Sequence, residues 1–127
     1  MGLSDGVVRP GALRRTVNGL DLDVRVGWYR SLPLSSVRVF ALEVDGAAVT
    51  PTFELDGATY TLDELPAFHD KWWFVQDPAT LHLPVSTAKS AVRVELEIGW
   101  RIPYIVIGPE TALVQRAHVD MELEVAA

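Results

Sequence analysis

The chain has 127 residues, of which 49% are hydrophobic and 22% charged, so it is long enough for one domain with its own hydrophobic core. Its formal net charge of -6 disfavours binding to nucleic acid and to anionic membrane surfaces, because both repel a negative protein. It has no cysteine, no apolar leader at its N-terminus and no apolar run of about 20 residues, which predicts a cytoplasmic protein without disulfides, thiolate metal sites or a membrane span.

The first predicted strand covers residues 20–28, where apolar residues alternate with charged ones. This period of two is typical of a strand with one face on a core. Residues 37–44 predict a second strand, but its apolar positions change phase partway along. Either both of its faces are covered or a bulge shifts the alternation.

Asp56-Gly57 is the strongest local signal in the chain. Because both residues accept a positive φ, they predict a type I′ hairpin between residues 52–55 and 58–62. Thr61 is followed three residues later by Glu64, a spacing typical of a capping box, so one helical turn is expected before Pro66.

Further strands are expected at residues 72–75, 79–85, 92–102 and 113–125, the last two with one charged face each. No segment has a convincing helical period. The pattern therefore predicts an all-β fold: an antiparallel β-sandwich or bent sheet with at most one short helical turn, forming a single domain over residues 1–127.

Two strands end in an unusual way, at residues 29–35 and 101–107. Each is followed by aromatic, arginine, proline and aliphatic residues where a polar turn is expected. Such residues are common in buried protein interfaces, so these segments are expected to bind a partner. Trp28 and Trp100 are in phase with the apolar faces of their strands and are expected in the core.

Few residues suggest chemistry. His69 and Asp70 are of the types that form an oriented general base, but loop neighbours rarely face each other. His82 and His118 could share a metal with a carboxylate if their strands were neighbours; otherwise they are isolated surface histidines. The carboxyl pairs at residues 95 and 97 and at 122 and 124 could suit a glycosidase, but alternating charges are equally typical of an exposed strand face.

The ordered motifs resemble the small β subunit of bacterial C-glycoside deglycosidases. They are, in order, Tyr29-Arg30-Ser31-Leu32-Pro33-Leu34-Ser35, Val44-Asp45-Gly46, Thr59-Tyr60-Thr61-Leu62-Asp63-Glu64-Leu65, Asp70-Lys71-Trp72-Trp73-Phe74, residues 92–98 and Arg101-Ile102-Pro103-Tyr104. The resemblance covers about residues 20–107. The family usually has Gly at the position of Ser31 and Arg at that of Lys71.

This resemblance implies an all-β, non-catalytic subunit of a two-subunit lyase. Such an enzyme cleaves the C–C glycosidic bond of 3-oxo-C-glucosides of aromatic aglycones, such as flavonoids, by elimination. The implied partner is an α subunit with a TIM-like barrel that resembles sugar-phosphate isomerases. The α subunit would hold the acid/base residues and a divalent metal, expected to be manganese, while this chain would hold no cofactor and be inactive alone.

Site residues follow from the strand ends and the resemblance together. No catalytic or metal-binding residue is expected in this chain. A wall of the substrate pocket is expected from Trp73 and His69. The partner interface is expected to include Tyr29, Arg30, Leu32, Pro33, Pro103, Tyr104 and Ile105. The alternative hypothesis is a stand-alone carbohydrate- or ligand-binding β-sandwich module, in which exposed aromatic rings stack on sugars.

Overall fold

The structure is a computed structural model that describes residues 6–27, 30–108 and 111–126, with the backbone alone for residues 103–108 and 111–112. Its strands are, in chain order, β1 (Leu13–Thr16), β2 (Gly19–Val24), β3 (Leu32–Pro33), β4 (Val37–Val44), β5 (Ala47–Ala48), β6 (Thr52–Leu55), β7 (Ala58–Tyr60), β8 (Trp72–Trp73), β9 (Ala79–Leu83), β10 (Ala91–Gly108) and β11 (Thr111–Glu124). The predicted all-β class is confirmed.

Antiparallel pairing joins these strands into three sheets. A five-stranded sheet has the order β1-β2-β9-β6-β7, and a four-stranded sheet has the order β11-β10-β4-β5. The pair β3-β8 stands apart from both. A parallel bridge between Arg14 and Ala126 links the edge strand β1 to the segment that follows β11.

Asp-Gly turns fix two of the hairpins. At Asp56-Gly57 the φ angles are 53° and 80°, and at Asp45-Gly46 they are 49° and 84°. Positive φ at both positions is the geometry of a type I′ turn, which matches the right-handed twist of the flanking strands. The predicted hairpin at Asp56-Gly57 is therefore confirmed, and it pairs β6 with β7.

The predicted helical turn is a 3-10 segment over Leu62–Ala67, with Pro66 inside it. Its capping box is present, since the backbone N–H of Thr61 donates to Oε1 of Glu64 at 2.8 Å. A second 3-10 turn, over Leu34–Ser36, connects β3 to β4 and was not predicted. Among the described residues, no helix is long and apolar enough to cross a membrane.

The uncertain phase of β4 is explained by a bulge. Glu97 of β10 pairs with Ala41 and the next residue, Ile98, pairs with Val39, so Phe40 is an extra residue in β4. The extra residue lets Val37 and Leu42 both face the core although they are an odd number of positions apart, while the ring of Phe40 is exposed.

One hydrophobic core lies between the two larger sheets. The ring of Trp73 packs edge-on against Phe53 of the five-stranded sheet, with 5.3 Å between ring centroids. It also packs against Trp100 of the four-stranded sheet, at 5.9 Å. Trp73 therefore joins the two sheets through the core, and the expected burial of Trp100 is confirmed.

Candidate functional site

The two motifs at residues 29–35 and 70–74 are separated in sequence but pair in the structure. Leu32 is opposite Trp73, and Pro33 is opposite Trp72. The pairing extends beyond Pro33 and Trp72, because the N–H of Leu34 donates to the carbonyl of Lys71 at 2.8 Å. We call residues 30–34 and 71–75 the β3–β8 unit.

Alternation along the β3–β8 unit sends some side chains inward and others outward. Leu32, Leu34 and Trp73 are buried, and the indole N–H of Trp73 donates to the carbonyl of Asp77 at 2.8 Å. Trp72 and Phe74 are 47% and 48% exposed. Buried anchors on both strands thus fix the backbone that carries two large aromatic side chains on the surface.

The burial corrects two expected site residues. Trp73 has no exposed surface and Leu32 has 1%, so neither side chain can form a substrate wall or contact a partner directly while the unit keeps this conformation. A two-residue strand contains too few positions for its sequence to show which side faces the core. The outward tryptophan is Trp72, the neighbour of the expected one.

The other expected residues are exposed or lie outside the description. Arg30 and His69 are exposed, and Pro33 is partly exposed. Tyr29 lies outside the described residues, as does Trp28, which was expected in the core. The side chains of Pro103, Tyr104 and Ile105 are also outside them, and their roles stay predictions.

The backbone of residues 103–105 belongs to a long hairpin arm. The last pairing of β10 with β4 is Trp100 with Val37, after which β10 continues to Gly108 paired with β11. The register shifts between Ile102 and Val106, so residues 103–105 form an irregularity in the ladder. Such a bulge bends a strand and re-aims its side chains.

A polar cluster that sequence reasoning missed lies on the outer face of the five-stranded sheet. Nδ1 of His82 on β9 is 2.7 Å from Oδ1 of Asp21 on β2, and its Nε2 is 2.6 Å from Oε1 of Glu54 on β6. The hydrogen bond to Asp21 raises the pKa of His82, burial opposes the increase, and the bond to Glu54 adds to it. Both ring nitrogens face carboxylate oxygens, an arrangement that favours the imidazolium form.

The same face carries a second network beside the first. Both guanidinium nitrogens of Arg14 donate to the carboxylate of Asp23, and the hydroxyl of Thr80 donates to it at 3.0 Å. Burial raises the pKa of Asp23, but the hydrogen bonds from Arg14 and Thr80, together with nearby positive charge, outweigh it, so that the pKa is lowered overall. The two networks span strands β1, β2, β9 and β6.

The hypothesis that His82 and His118 share a metal is wrong, because β9 and β11 belong to different sheets. His118 instead lies 3.3 Å from Glu95 on the neighbouring strand. Among the described residues, no group of three His, Asp or Glu side chains could hold a metal ion.

Charged residues of β10 pair with oppositely charged residues of β11. Arg116 donates to Glu97 at 2.9 Å, and its guanidinium also lies 3.9 Å from the ring centroid of Phe40. Arg93 donates to both carboxylate oxygens of Asp120. The arrangement matches the exposed charged strand face that the sequence suggested as one interpretation.

A pocket of about 430 Å³ opens beside His82, at the end of the β2–β9 ladder. Pro84 forms part of its apolar wall. Its polar lining comes from the β1–β2 turn, the segment before β6, and the ladder itself: Thr16, Asn18, Asp21, Thr50, Thr52 and His82. Gly19 allows the strands to approach closely here, because a Cβ at this position would lie 2.2 Å from the carbonyl oxygen of Leu83.

Comparison with known proteins identifies similar chains. A family model described as C-glycoside deglycosidase beta subunit matches residues 5–104. A C-glycoside deglycosidase beta subunit of Microbacterium trichothecenolyticum is 33% identical over 123 residues, covering 93% of this chain and 90% of the relative. A protein of the same name from Arthrobacter globiformis is 30% identical, covering 99% of this chain and all of the relative. A 3'-dehydrocarminate deglycosidase beta subunit from Microbacterium sp. is 33% identical and covers 84% and 85% of the two chains.

Proposed function

The chain belongs to the C-glycoside deglycosidase β-subunit family, and on that premise we propose that it completes a lyase acting on 3-oxo-C-glucosides of aromatic aglycones, flavonoids among them. One relative is named for 3'-dehydrocarminate, and the proposal extends an oxidised-sugar substrate of this kind to the present chain. A β subunit implies an α subunit as its partner in a hetero-oligomer.

The proposed reaction is an elimination. The 3-oxo group acidifies the neighbouring C–H of the sugar, and a base removes that proton. The C–C bond to the aglycone then breaks, its electron pair goes to the aglycone carbon, and an acid protonates this carbon. We place the base, the acid and the divalent metal that stabilises the enolate, expected to be manganese, in the α subunit with its TIM-like barrel.

Support for an accessory role comes from how the polar side chains of this chain are used. His82 is bound on both nitrogens by carboxylates, and Glu97 is paired with Arg116. A general base needs an available proton acceptor near its substrate. His82 and Glu97 already bind other side chains on the sheet faces, so neither is available as a base. We therefore assign this chain a role in assembling the enzyme.

The observation that carries the proposal is the exposure of Trp72 and Phe74 on a backbone anchored by buried neighbours. Large aromatic side chains dominate binding energy in protein interfaces, particularly where their positions are fixed before binding. Val75 is also exposed, and its N–H donates to Oγ of Ser31 at 2.9 Å, which fixes the end of the β3–β8 unit. We propose that this unit, which includes Arg30, docks onto the α subunit.

The test is co-expression of the two subunits, followed by titration of the purified chain into the purified α subunit. Trp72→Ala and Phe74→Ala should each weaken the complex by roughly 10- to 100-fold, the range expected for central aromatic contacts. Val17→Ala is the matched control, because Val17 is fully exposed in the β1–β2 turn, outside the β3–β8 unit. Tyr29→Ala and Tyr104→Ala extend the same test to the other predicted interface residues.

Activity provides a second readout. Cleavage of a 3-oxo-C-glucoside should require both subunits, with the isolated chain inactive. A chain that stays monomeric beside its cognate α subunit would refute the proposal. A change of tryptophan fluorescence when sugars are added to the isolated chain, with Trp72 as the exposed reporter, would favour the alternative of a stand-alone carbohydrate-binding module.

A further inference from the structure

The pocket beside His82 lies on the outer face of the five-stranded sheet and has a defined polar base. Oδ1 of Asp21 is occupied by Nδ1 of His82, at 2.7 Å. Oδ2 of Asp21 is 4.0 Å from Nη2 of Arg14, too far for a hydrogen bond, since Arg14 is directed at Asp23. Oδ2 of Asp21 thus forms a long ion pair with Arg14 but accepts no hydrogen bond among the described residues, which leaves it able to accept one from a ligand.

His82 positions this carboxylate and does not itself contact a ligand. Its two ring nitrogens are both taken, one by Asp21 and the other by Glu54. The three groups come from adjacent strands, with Asp21 opposite His82 in one ladder and Thr52 opposite His82 in the next. These contacts fix Asp21 on one side of His82, with Thr52 on the other side.

Apart from Asp21 and His82, the polar groups that line the pocket are neutral. Thr16, Thr50 and Thr52 provide hydroxyls that donate and accept, and Asn18 provides an amide. Pro84 adds an apolar wall, and the volume of about 430 Å³ is within the usual range for small-molecule sites. One carboxylate, several neutral hydrogen-bonding groups and an apolar wall suit a molecule with both hydroxyl groups and C–H faces.

Charge argues against other ligands. Among the described residues that line the pocket there is no lysine or arginine, and both ring nitrogens of His82 are bound by the carboxylates of Asp21 and Glu54, so the lining does not favour a phosphate or carboxylate. A metal ion would need the imidazole nitrogens that the carboxylates already hold. A neutral polyol remains as the ligand class that the lining can satisfy.

We propose that this pocket binds the sugar moiety of a neutral glycoside, with Asp21 accepting hydrogen bonds from its hydroxyl groups and Thr52 and Asn18 completing the contact. The site is separate from the β3–β8 unit and does not depend on the α subunit. It would give the β subunit a non-catalytic place to hold a glycoside.

The test is heteronuclear NMR on the isolated full-length chain, with methyl β-D-glucopyranoside as the probe. Amide shifts should concentrate at residues 16–21, 50–52 and 82–84, and binding should saturate with a dissociation constant of about 1 mM, as expected for a small open site. Glucose 6-phosphate and cyclohexanol serve as comparison probes, testing for charge and for apolar filling. Both should bind more weakly than the glucoside.

Two variants separate ligand contact from folding. Thr52→Val keeps the shape of the side chain and removes its hydroxyl, so binding should weaken roughly 3- to 10-fold, the effect of one hydrogen bond. Asp21→Asn should weaken it more, because it removes the charged acceptor. The matched control is Thr59→Val, on the same sheet face but outside the pocket, which should leave the dissociation constant unchanged.

Several outcomes would overturn the proposal. Shifts centred on Trp72 with none at the pocket would place sugar binding elsewhere. Tighter binding of glucose 6-phosphate would contradict the charge argument, and equal binding of cyclohexanol would show an apolar cavity without hydroxyl recognition. Equal loss in Thr52→Val and Thr59→Val would mean that neither hydroxyl contacts the sugar.

Discussion

Trp73→Phe should destabilise the chain by about 2 kcal/mol, even though an aromatic ring is kept. The indole N–H that donates to the carbonyl of Asp77 is lost, a contribution of about 1 kcal/mol. The smaller ring also leaves a void of about 40 Å³ between the sheets, which at about 24 cal/mol per Å³ adds about 1 kcal/mol. The total is a sizeable part of the 5–15 kcal/mol that stabilises a typical domain.

Urea unfolding followed by far-UV circular dichroism measures this loss. For an m-value of about 2 kcal/mol per molar, the midpoint should fall by about 1 M. Trp72→Phe is the matched control, because Trp72 is the adjacent residue and is 47% exposed, and it should change the free energy of unfolding by less than about 0.5 kcal/mol.

Binding to the α subunit should show the opposite order, with a larger effect of substitution at Trp72 than at Trp73. Trp72→Ala weakens the complex without unfolding the chain, whereas Trp73→Phe unfolds more easily but keeps the surface aromatic rings in place. Equal destabilisation by the two phenylalanine substitutions, or a larger effect at position 72, would refute the assignment of Trp73 to the core and of Trp72 to the surface.

Two other predictions concern the five-stranded sheet. Gly19→Ala should cost about 2 kcal/mol more than Gly46→Ala in the same unfolding assay, because both residues have a positive φ but only at Gly19 does a Cβ meet a backbone atom; equal costs would contradict the close approach at Leu83. The contacts with Asp21 and Glu54 that raise the pKa of His82 also stabilise the fold. This stabilisation is fully present at pH values below 6.5, the ordinary pKa, and is lost as the pH rises through the raised pKa. The difference in free energy of unfolding between wild type and His82→Gln should therefore be about 1 kcal/mol larger near pH 5.5 than near pH 9, and a difference independent of pH would show that His82 is not charged between its carboxylates.

Local chemistry explains which parts of the fold were predictable. The Asp56-Gly57 turn, the capping box at Thr61 and the alternation of β2 are each decided by neighbouring residues, and each was predicted from the sequence. The β4 strand was predicted, but its bulge at Phe40 was only one of two alternatives, because the bulge depends on how β10 pairs beside it.

The candidate sites depend on contacts between distant residues, which the sequence of each segment does not contain. Asp21 and His82 were each placed on a polar strand face, but their contact requires β2 and β9 to be neighbours in the sheet. The pairing of the two aromatic motifs in the β3–β8 unit likewise depends on a contact between segments that are distant in sequence. Trp73, and not Trp72, is the inward side chain because its ring packs between Phe53 and Trp100, which are distant in sequence.

The strand order β1-β2-β9-β6-β7 also constrains how the chain can fold. The neighbour of β2 on the side away from β1 is β9, with Leu20 opposite Leu83, so one hydrogen-bonding edge of the first hairpin has no partner until most of the chain exists. At a synthesis rate of 5–20 residues per second, that wait on the ribosome is roughly 3 to 12 seconds. Folding dominated by such distant pairings is slow, in milliseconds to seconds, and burial of Trp73 between the sheets should be among its last steps.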